Sequence, residues 1–350
     1  MSGIAFAIPG DIDTATGGYA YDRRVIAELR GMGREVTVVG LGDGFPDPVA
    51  IDAARVRHAL GSIPDGTPTL IDGLALGILP DEAAELARRV PVAALVHHPL
   101  GLETGLDAER SRRLLDSERR ALAAVRHVVV TSRATARTVA DSFAVAAARL
   151  TVAEPGVDRL DPVDRPGTGR PVLLAVGALV PRKGYDVLVA ALAEITSLGW
   201  DAEIIGDPGR DPATAARLAR SIEAAGLAGR VRLRGQVTAD ALAGAYRSAD
   251  LFVIASHYEG YGMVAAEALA YGLPIVSTTA GALAETVPDA AALKVPAGDA
   301  KALAAALRRL VADAALRARL GRAAAAAALE LPTWRDCART IDHVIRDLAR

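Results

Sequence analysis

The chain has 350 residues, of which 51% are hydrophobic and 23% charged, and its net charge is −2. At ~100–200 residues per domain this length suits about two domains, and the composition supports packed cores and excludes a disordered chain. The balanced charge argues against a nucleic-acid binder that lives on phosphate neutralisation, and the single Cys337 excludes an internal disulfide framework or a thiolate metal cluster.

Ile4–Ile8 is the first expected strand. The residues before it hold no basic segment or long apolar core, so the N-terminus does not read as a signal peptide. No uninterrupted run of ~18 apolar residues occurs anywhere, and the chain is expected to be cytoplasmic. Tyr21–Gly31 follows as a helix with Val25, Ile26 and Leu29 on one face. Strands are then expected at 35–40, 68–72, 92–96 and 128–131, with helices over 81–89 and 107–126 between them. Glu154–Pro171 is rich in Pro, Gly and Asp, carries no periodic apolar pattern, and reads as a linker. The rhythm restarts with strands at 172–176, 201–205, 231–234, 251–255 and 275–277. Helices are expected over 185–198, from Asp211-Pro212 to near Gly226, within 299–330, and over 334–348. This alternation predicts an α/β chain of two similar halves, each a doubly wound parallel sheet, with ligands beyond the C-terminal strand ends.

Within this frame Ser256–Glu267 (SHYEGYGMVAAE) is the strongest signal. A buried strand ends, a loop bears Glu259, Gly260, Tyr261 and Gly262, and a helix begins near Met263 and Val264. Glycines let backbone amides approach a ligand, and a helix N-terminus favours an anionic phosphate. Glu267 lies about one turn inside the helix, in reach of sugar hydroxyls. Arg182 and Lys183 follow the first strand of the second half. Two cations there can neutralise a diphosphate leaving group. Only three of the 40 basic residues are lysines (Lys183, Lys294 and Lys301), so arginine richness alone carries no functional weight, whereas Lys183 stands out.

Glu259-x7-Glu267 inside YEGYGMVAAEALAYGLPIVST resembles the signature of retaining glycosyltransferases of family 4. Further resemblances run along the chain in the family's order. Gly17-Gly18 resembles its N-terminal Gly-Gly. Pro155-Gly156-Val157-Asp158 resembles its interdomain P-x-G-V-D, with the x missing here. Gly177-x5-Lys183-Gly184 resembles its phosphate-binding loop. The resemblance implies a GT-B fold, two Rossmann-like sheets facing a cleft. It implies an acceptor-binding domain over 1–160, a linker at 161–171, a donor-binding domain over 172–330, and a C-terminal helix, 331–350, that crosses back to the first domain. It also implies transfer of a sugar from a nucleotide-diphosphate sugar with retention of configuration. That co-substrate would be the sole cofactor-like partner, beside an acceptor that is a glycan, a lipid or a small molecule. No nucleic acid is expected, and at most peripheral membrane contact through the arginine-rich helix after Asp107.

The resemblance gives roles to single residues. Glu259, His98, Lys183 and Arg182 are the expected catalytic set. Gly17, Gly18, His97, Gly206, Val237, Gly260, Tyr261, Gly262, Met263, Val264 and Glu267 join Arg182, Lys183 and Glu259 around the donor. His97 and His98 both follow the strand at 92–96, and which ring faces the site stays open. Thr278–Leu283 and Glu285 resemble the family's last donor-side loop. Asp11-x-Asp13 suggests a metal motif, but it directly follows the first strand and reads better as an Asx-type loop, so no metal is expected. No Rossmann G-x-G-x-x-G and no Walker loop occur. A nucleotide-sugar epimerase or phosphorylase on the same scaffold, and an inactive sugar-nucleotide-binding protein, are the alternatives.

Overall fold

The computed structural model describes residues 3–14, 16–47, 49, 51–160 and 169–350. The chain divides into two units. Residues 1–156 and 332–350 form the first, and 157–331 the second. Val157 packs with Tyr261 and Ala266, so the first unit ends at Gly156, not at 160. Residues 161–168 of the expected linker lie outside the described residues.

The first unit holds six parallel strands: β1 (Ile4–Ile8), β2 (Val36–Gly40), β3 (Thr69–Asp72), β4 (Val92–Val96), β5 (His127–Val130) and β6 (Leu150–Val152). Their order is β2-β1-β3-β4-β5-β6, so the chain reverses its direction of winding between β1 and β3. β1 and β4 are buried along their whole length, as unbroken apolar runs demand when helices cover both faces of a sheet. The first helix is Gly17–Gly31, capped by the Thr16 hydroxyl, which accepts from Tyr19 N. It therefore starts four residues before the apolar periodicity, because the cap and not the apolar stripe sets its origin. Gly17 and Gly18, expected in a loop, occupy its first turn. β5 likewise ends at Val130, because Ser132 caps the helix Arg133–Phe143 by accepting from Thr135 N. The chain returns through Trp334–Leu348, which opens on a capping box of Thr333 and Asp336. That helix buries Trp334, Cys337, Ala338, Ile341, Ile345 and Leu348, an i, i+3/i+4 stripe, against Gly17–Gly31. A buried ion pair, Arg34 to Asp342 at 2.5 Å, closes the contact. A Cβ on Gly156 would lie 2.0 Å from the Trp334 nitrogen, so only glycine admits this approach.

The second unit repeats the plan with β7 (Val172–Val176), β8 (Asp201–Ile205), β9 (Val231–Gly235), β10 (Leu251–Ile254), β11 (Ile275–Thr278) and β12 (Ala292–Val295). All pair in parallel, in the order β12-β11-β10-β7-β8-β9, and the reversal falls between β7 and β10. The helix at 185 stops at Ala193, short of the expected 198. The apolar tract 299–330 is two helices, Ala300–Ala312 and Ala314–Glu330, because Asp313 accepts from Leu316 N and starts the second. The short strands β6 and β12 were not legible in the alternation. Among the described residues no helix is long and apolar enough to cross a membrane.

Candidate functional site

In the second unit the reversal between β7 and β10 leaves a crevice beyond the carboxyl ends of those two strands, the usual ligand position in open α/β sheets. The loop from β7 runs from Gly177 through the turn Pro181–Lys183, and the loop from β10 runs from Ala255 to Gly262. The loops are tied together by His257 N donating to Arg182 O at 2.8 Å. Gly184, with φ +63°, lies so near Ala255 that a Cβ would come within 2.2 Å of its carbonyl oxygen.

This junction brings three of the expected residues into one cluster. Lys183 Nζ donates to Glu259 Oε1 at 2.6 Å, and Arg182 Nη1 donates to Glu259 Oε2 at 3.3 Å and to Tyr258 O at 2.9 Å. The Ser256 hydroxyl donates to the same Oε1 at 2.6 Å. Burial alone would raise the Glu259 carboxyl. The adjoining Lys183 and Arg182 charges, with the hydrogen bonds from Lys183 and Ser256, outweigh it and hold the group at about 2. One carboxylate thus fixes two cations, and the cluster keeps a net positive charge. The loop after β11 braces it. Ala282 N donates to Glu259 O, and a Cβ on Gly281 would meet that oxygen at 2.4 Å. Thr278 Oγ1 donates to Ser256 O. Ser256 and Thr278 both lie in segments singled out in the sequence, but their part as supports of Glu259 depends on the strand order that brings the two loops together.

Gly262, at φ +92°, opens the helix Met263–Ala270, and Gly260, Met263 and Val264 are half-buried around that start. The Tyr261 ring is buried with Val157 and Ala266 in an apolar cluster. Glu267 Oε2 accepts from the Tyr246 hydroxyl at 2.9 Å, and Tyr246 stacks on Tyr271 with centroids 4.9 Å apart. Gly206, after β8, lies against Gly177, whose carbonyl a Cβ there would meet at 1.8 Å. Val237 is half-buried beside the same core.

Gly17, Gly18, His97 and His98 belong to the first unit. His97 Nε2 lies 3.2 Å from Asp22 Oδ1 and 3.2 Å from Asp72 Oδ2. Asp22 comes from the first helix, Asp72 from the end of β3 and His97 from just past β4. Burial would lower the imidazole, but the two carboxylates outweigh it and lift the ring to about 10. Burial and the Asp72 charge raise Asp22 to about 7 against the opposing pull of His97. The three donor atoms lie within 4.8 Å of one another, a spacing that also suits a cation; a ring nitrogen protonated between two carboxylates satisfies the same charges. Gly18 packs on the ring, where a Cβ would be 3.4 Å from Cδ2. His98 Nε2 is 3.9 Å from Glu103 Oε2. Glu118 holds the loop beyond it, accepting from Leu100 N at 2.7 Å and Gly101 N at 3.0 Å. Asp11 Oδ1 accepts from Asp13 N in an Asx turn. Asp22, Asp72 and Glu118 escaped the sequence reading because each is a lone acid with no spacing to mark it.

The family model Glycosyl transferases group 1 matches residues 158–327, and Glycosyltransferase Family 4 matches 75–159. A D-inositol 3-phosphate glycosyltransferase of Kineococcus radiotolerans is 28% identical, over 91% of this chain and 87% of its own. An MMP alpha-(1->4)-mannosyltransferase of Mycolicibacterium hassiacum is 29% identical, over 88% of this chain and 77% of its own. Among solved structures, sucrose-phosphate synthase from Thermosynechococcus elongatus superimposes with a TM-score of 0.80 at 22% identity, covering 99% of each chain. Anabaena HepE in complex with UDP-glucose gives 0.76 at 18% identity, covering 98% of this chain and all of the other. At these identities the structural matches speak for the two-domain GT-B fold.

Proposed function

The chain belongs to glycosyltransferase family 4, and we propose that it moves a sugar from a nucleotide-diphosphate sugar to a hydroxyl acceptor with retention at the anomeric carbon. The observation that carries this reading is the Arg182–Glu259–Lys183 cluster. Its surplus positive charge, fixed before the reaction, suits the diphosphate that departs. The C1–O bond to the donor phosphate breaks, the acceptor oxygen bonds to C1 on the same face, and the acceptor proton passes to the leaving phosphate oxygen. No covalent nucleophile takes part. Glu259 orients the transferred sugar, and Glu267, held by Tyr246, accepts from the ribose hydroxyls. Arg182 and Lys183 do the charge work of a metal ion, so no divalent cation is required.

HepE was solved with UDP-glucose, so uridine donors come first in a test panel, and inositol phosphate leads the acceptors because a relative is named for it. Thermal shift with nucleotide diphosphates and their sugars identifies the donor, since a ligand at ~100 times its Kd stabilises by about 2.7 kcal/mol. Turnover is then followed with and without acceptor, and the anomeric proton coupling of the product is read by NMR. Acceptor-dependent transfer with an unchanged anomer is expected. Epimerised sugar, or phosphate-dependent release without an acceptor, would replace the reading by one of the alternative enzymes.

A further inference from the structure

We propose that Asp22 and Asp72 are positioning residues of the transfer reaction: together they hold His97 by Nε2 as an imidazolium and so present its Nδ1–H as a fixed donor to a sugar hydroxyl. The inference rests on the glycosyl-transfer reading above and adds two residues and a protonation state to it.

The geometry over-determines the ring. Nε2 is shared by two carboxylate oxygens at equal distances of 3.2 Å. The Tyr21 ring meets the imidazole edge-on at 5.1 Å and 79°, and the Gly18 backbone covers Cδ2. Asp72 is itself pinned, because Oδ1 accepts from Leu74 N at 2.7 Å. The three residues come from three elements that meet where the winding reverses, the ligand side of the sheet. The imidazole keeps 23% of its side-chain surface, whereas the Asp22 side chain keeps none, so the ring alone can meet a ligand.

Asp22 has its side-chain interactions within the His97 cluster. Its Oδ1 faces Nε2, its Oδ2 has no hydrogen-bond partner among the described residues, and its remaining side-chain interaction is with Asp72, the other acid on the ring. A carboxylate buried this way costs stability, and an apolar replacement in such places is often neutral or stabilising. A device that keeps an imidazole charged accounts for the expense. The ring is correspondingly lifted to about 10. The other titratable groups around it are Tyr21 on the same helix as Asp22, and His98 and Glu103 on its own loop. From the final helix Cys337 contacts the Tyr21 hydroxyl at 3.1 Å, with Glu154 acting on Cys337. None of these supplies a second cation that could take the place of His97 between the two acids.

The test uses the full chain labelled with ¹⁵N-histidine, with the His97 signals assigned by their loss in His97→Gln. The expected result is a doubly protonated His97 at pH 8 in the wild type. In Asp72→Asn the ring should titrate lower by about 1–3 pH units, the span expected for loss of one adjacent charge. Asn still caps Leu74, so this variant carries the test even where Asp22→Asn fails to fold. In kinetics, Asp72→Asn should lose activity at pH 8 in proportion to the fall of the ring, about twofold in kcat/KM for a two-unit drop and about tenfold for three, and regain it near pH 6, where the ring is protonated with Asp22 alone beside it. The wild type should stay flat over that range. A raised KM for the nucleotide sugar assigns the hydroxyl to the donor; a raised KM for the acceptor assigns it there. A neutral His97 at pH 8 in the wild type overturns the proposal. So does an Asp72→Asn defect of equal size at both pH values, or saturable Zn²⁺ binding lost in that variant. A chain with no transferase activity but a charged His97 would sink the functional reading while leaving the triad itself measured; a charged His97 whose variants leave turnover untouched would sink the proposal alone.

Discussion

Both units place a polar cluster at the carboxyl ends of the strands around the reversal of winding, β1/β3 in the first and β7/β10 in the second, yet with opposite charge. In the second unit one carboxylate, Glu259, sits between two cations, Arg182 and Lys183. In the first, one imidazole, His97, sits between two carboxylates, Asp22 and Asp72. The reversal in strand order makes both sites, because it parts two neighbouring loops and leaves a crevice at the strand ends. What fills the crevice is a separate matter of side-chain chemistry. The positive cluster suits phosphate, and the negative one suits hydroxyl groups and a held proton.

The largest expected effect is at Lys183. Lys183→Ala leaves Glu259 bonded to Arg182 and Ser256, so the fold survives and the loss falls on the leaving group. A drop in kcat on the order of 10²-fold is expected from one preorganised electrostatic group, with Glu259→Gln also lowering kcat. Steady-state kinetics with one working donor decides it. Retention of more than about half the activity in both variants would remove the contrast on which the functional reading stands.

Glu267→Gln and Tyr246→Phe sharpen the comparison within the second unit. Both weaken hydrogen bonds that are equal in ground and transition states, so the donor KM should rise with kcat little changed. Loss of the Tyr246 hydroxyl, worth about 1 kcal/mol, corresponds to roughly fivefold. A donor with 2′-deoxyribose should narrow the gap between Tyr246→Phe and wild type. An undiminished gap would detach Tyr246 from ribose recognition.

Opposite charge also predicts opposite pH limits. Glu259 is held at about 2, below its ordinary 4.5. Its contribution to stability is whole above the ordinary value and is lost as pH falls through about 2. His97 is lifted from 6.5 to about 10, so its contribution is whole below 6.5 and is lost as pH rises through about 10. Burial lifts Glu118 from 4.5 to about 7 despite the Gly101 and Leu100 amides, and Asp22 also lies at about 7. Both contribute most below their ordinary values, and that contribution is lost as pH rises to about 7, so the first unit weakens in two stages, by about pH 7 and again as His97 titrates near 10. The chain has two tryptophans, Trp200 in the second unit and Trp334 in the first, so Trp334→Phe and Trp200→Phe each leave one reporter. Fluorescence-monitored denaturation should show Trp200 weakening first toward acid and Trp334 first toward alkali. The reverse order would contradict the charge assignments. Chelation should have the smallest effect: EDTA should leave turnover unchanged, and loss restored by Mg²⁺ or Mn²⁺ would mean that the cation pair does not suffice.

Much of this was legible from neighbouring residues. Unbroken apolar runs such as Ile4–Ile8 and Val92–Val96 can only be strands covered on both faces. Glu259 and Glu267 carry a fixed spacing along a loop and one helix, and Lys183 is one of three lysines in the chain. These signals are local, and local geometry preserves them on folding. Two other features depended on the tertiary structure. The Glu259 carboxylate meets Lys183 and Arg182 only because β10 lies beside β7, a pairing that no periodicity encodes. Asp22, Asp72 and His97 are scattered along the sequence and converge only because β3 and β4 follow β1 in the sheet. One difference was local: the first helix starts at Gly17 because the Thr16 hydroxyl accepts from Tyr19 N, a single bond too small a signal to outweigh the apolar stripe. Spacing along the chain thus determined which residues are neighbours by bonds, and strand order decided which are neighbours through space, because hydrogen-bonded sheets join segments by pairing and not by proximity in sequence.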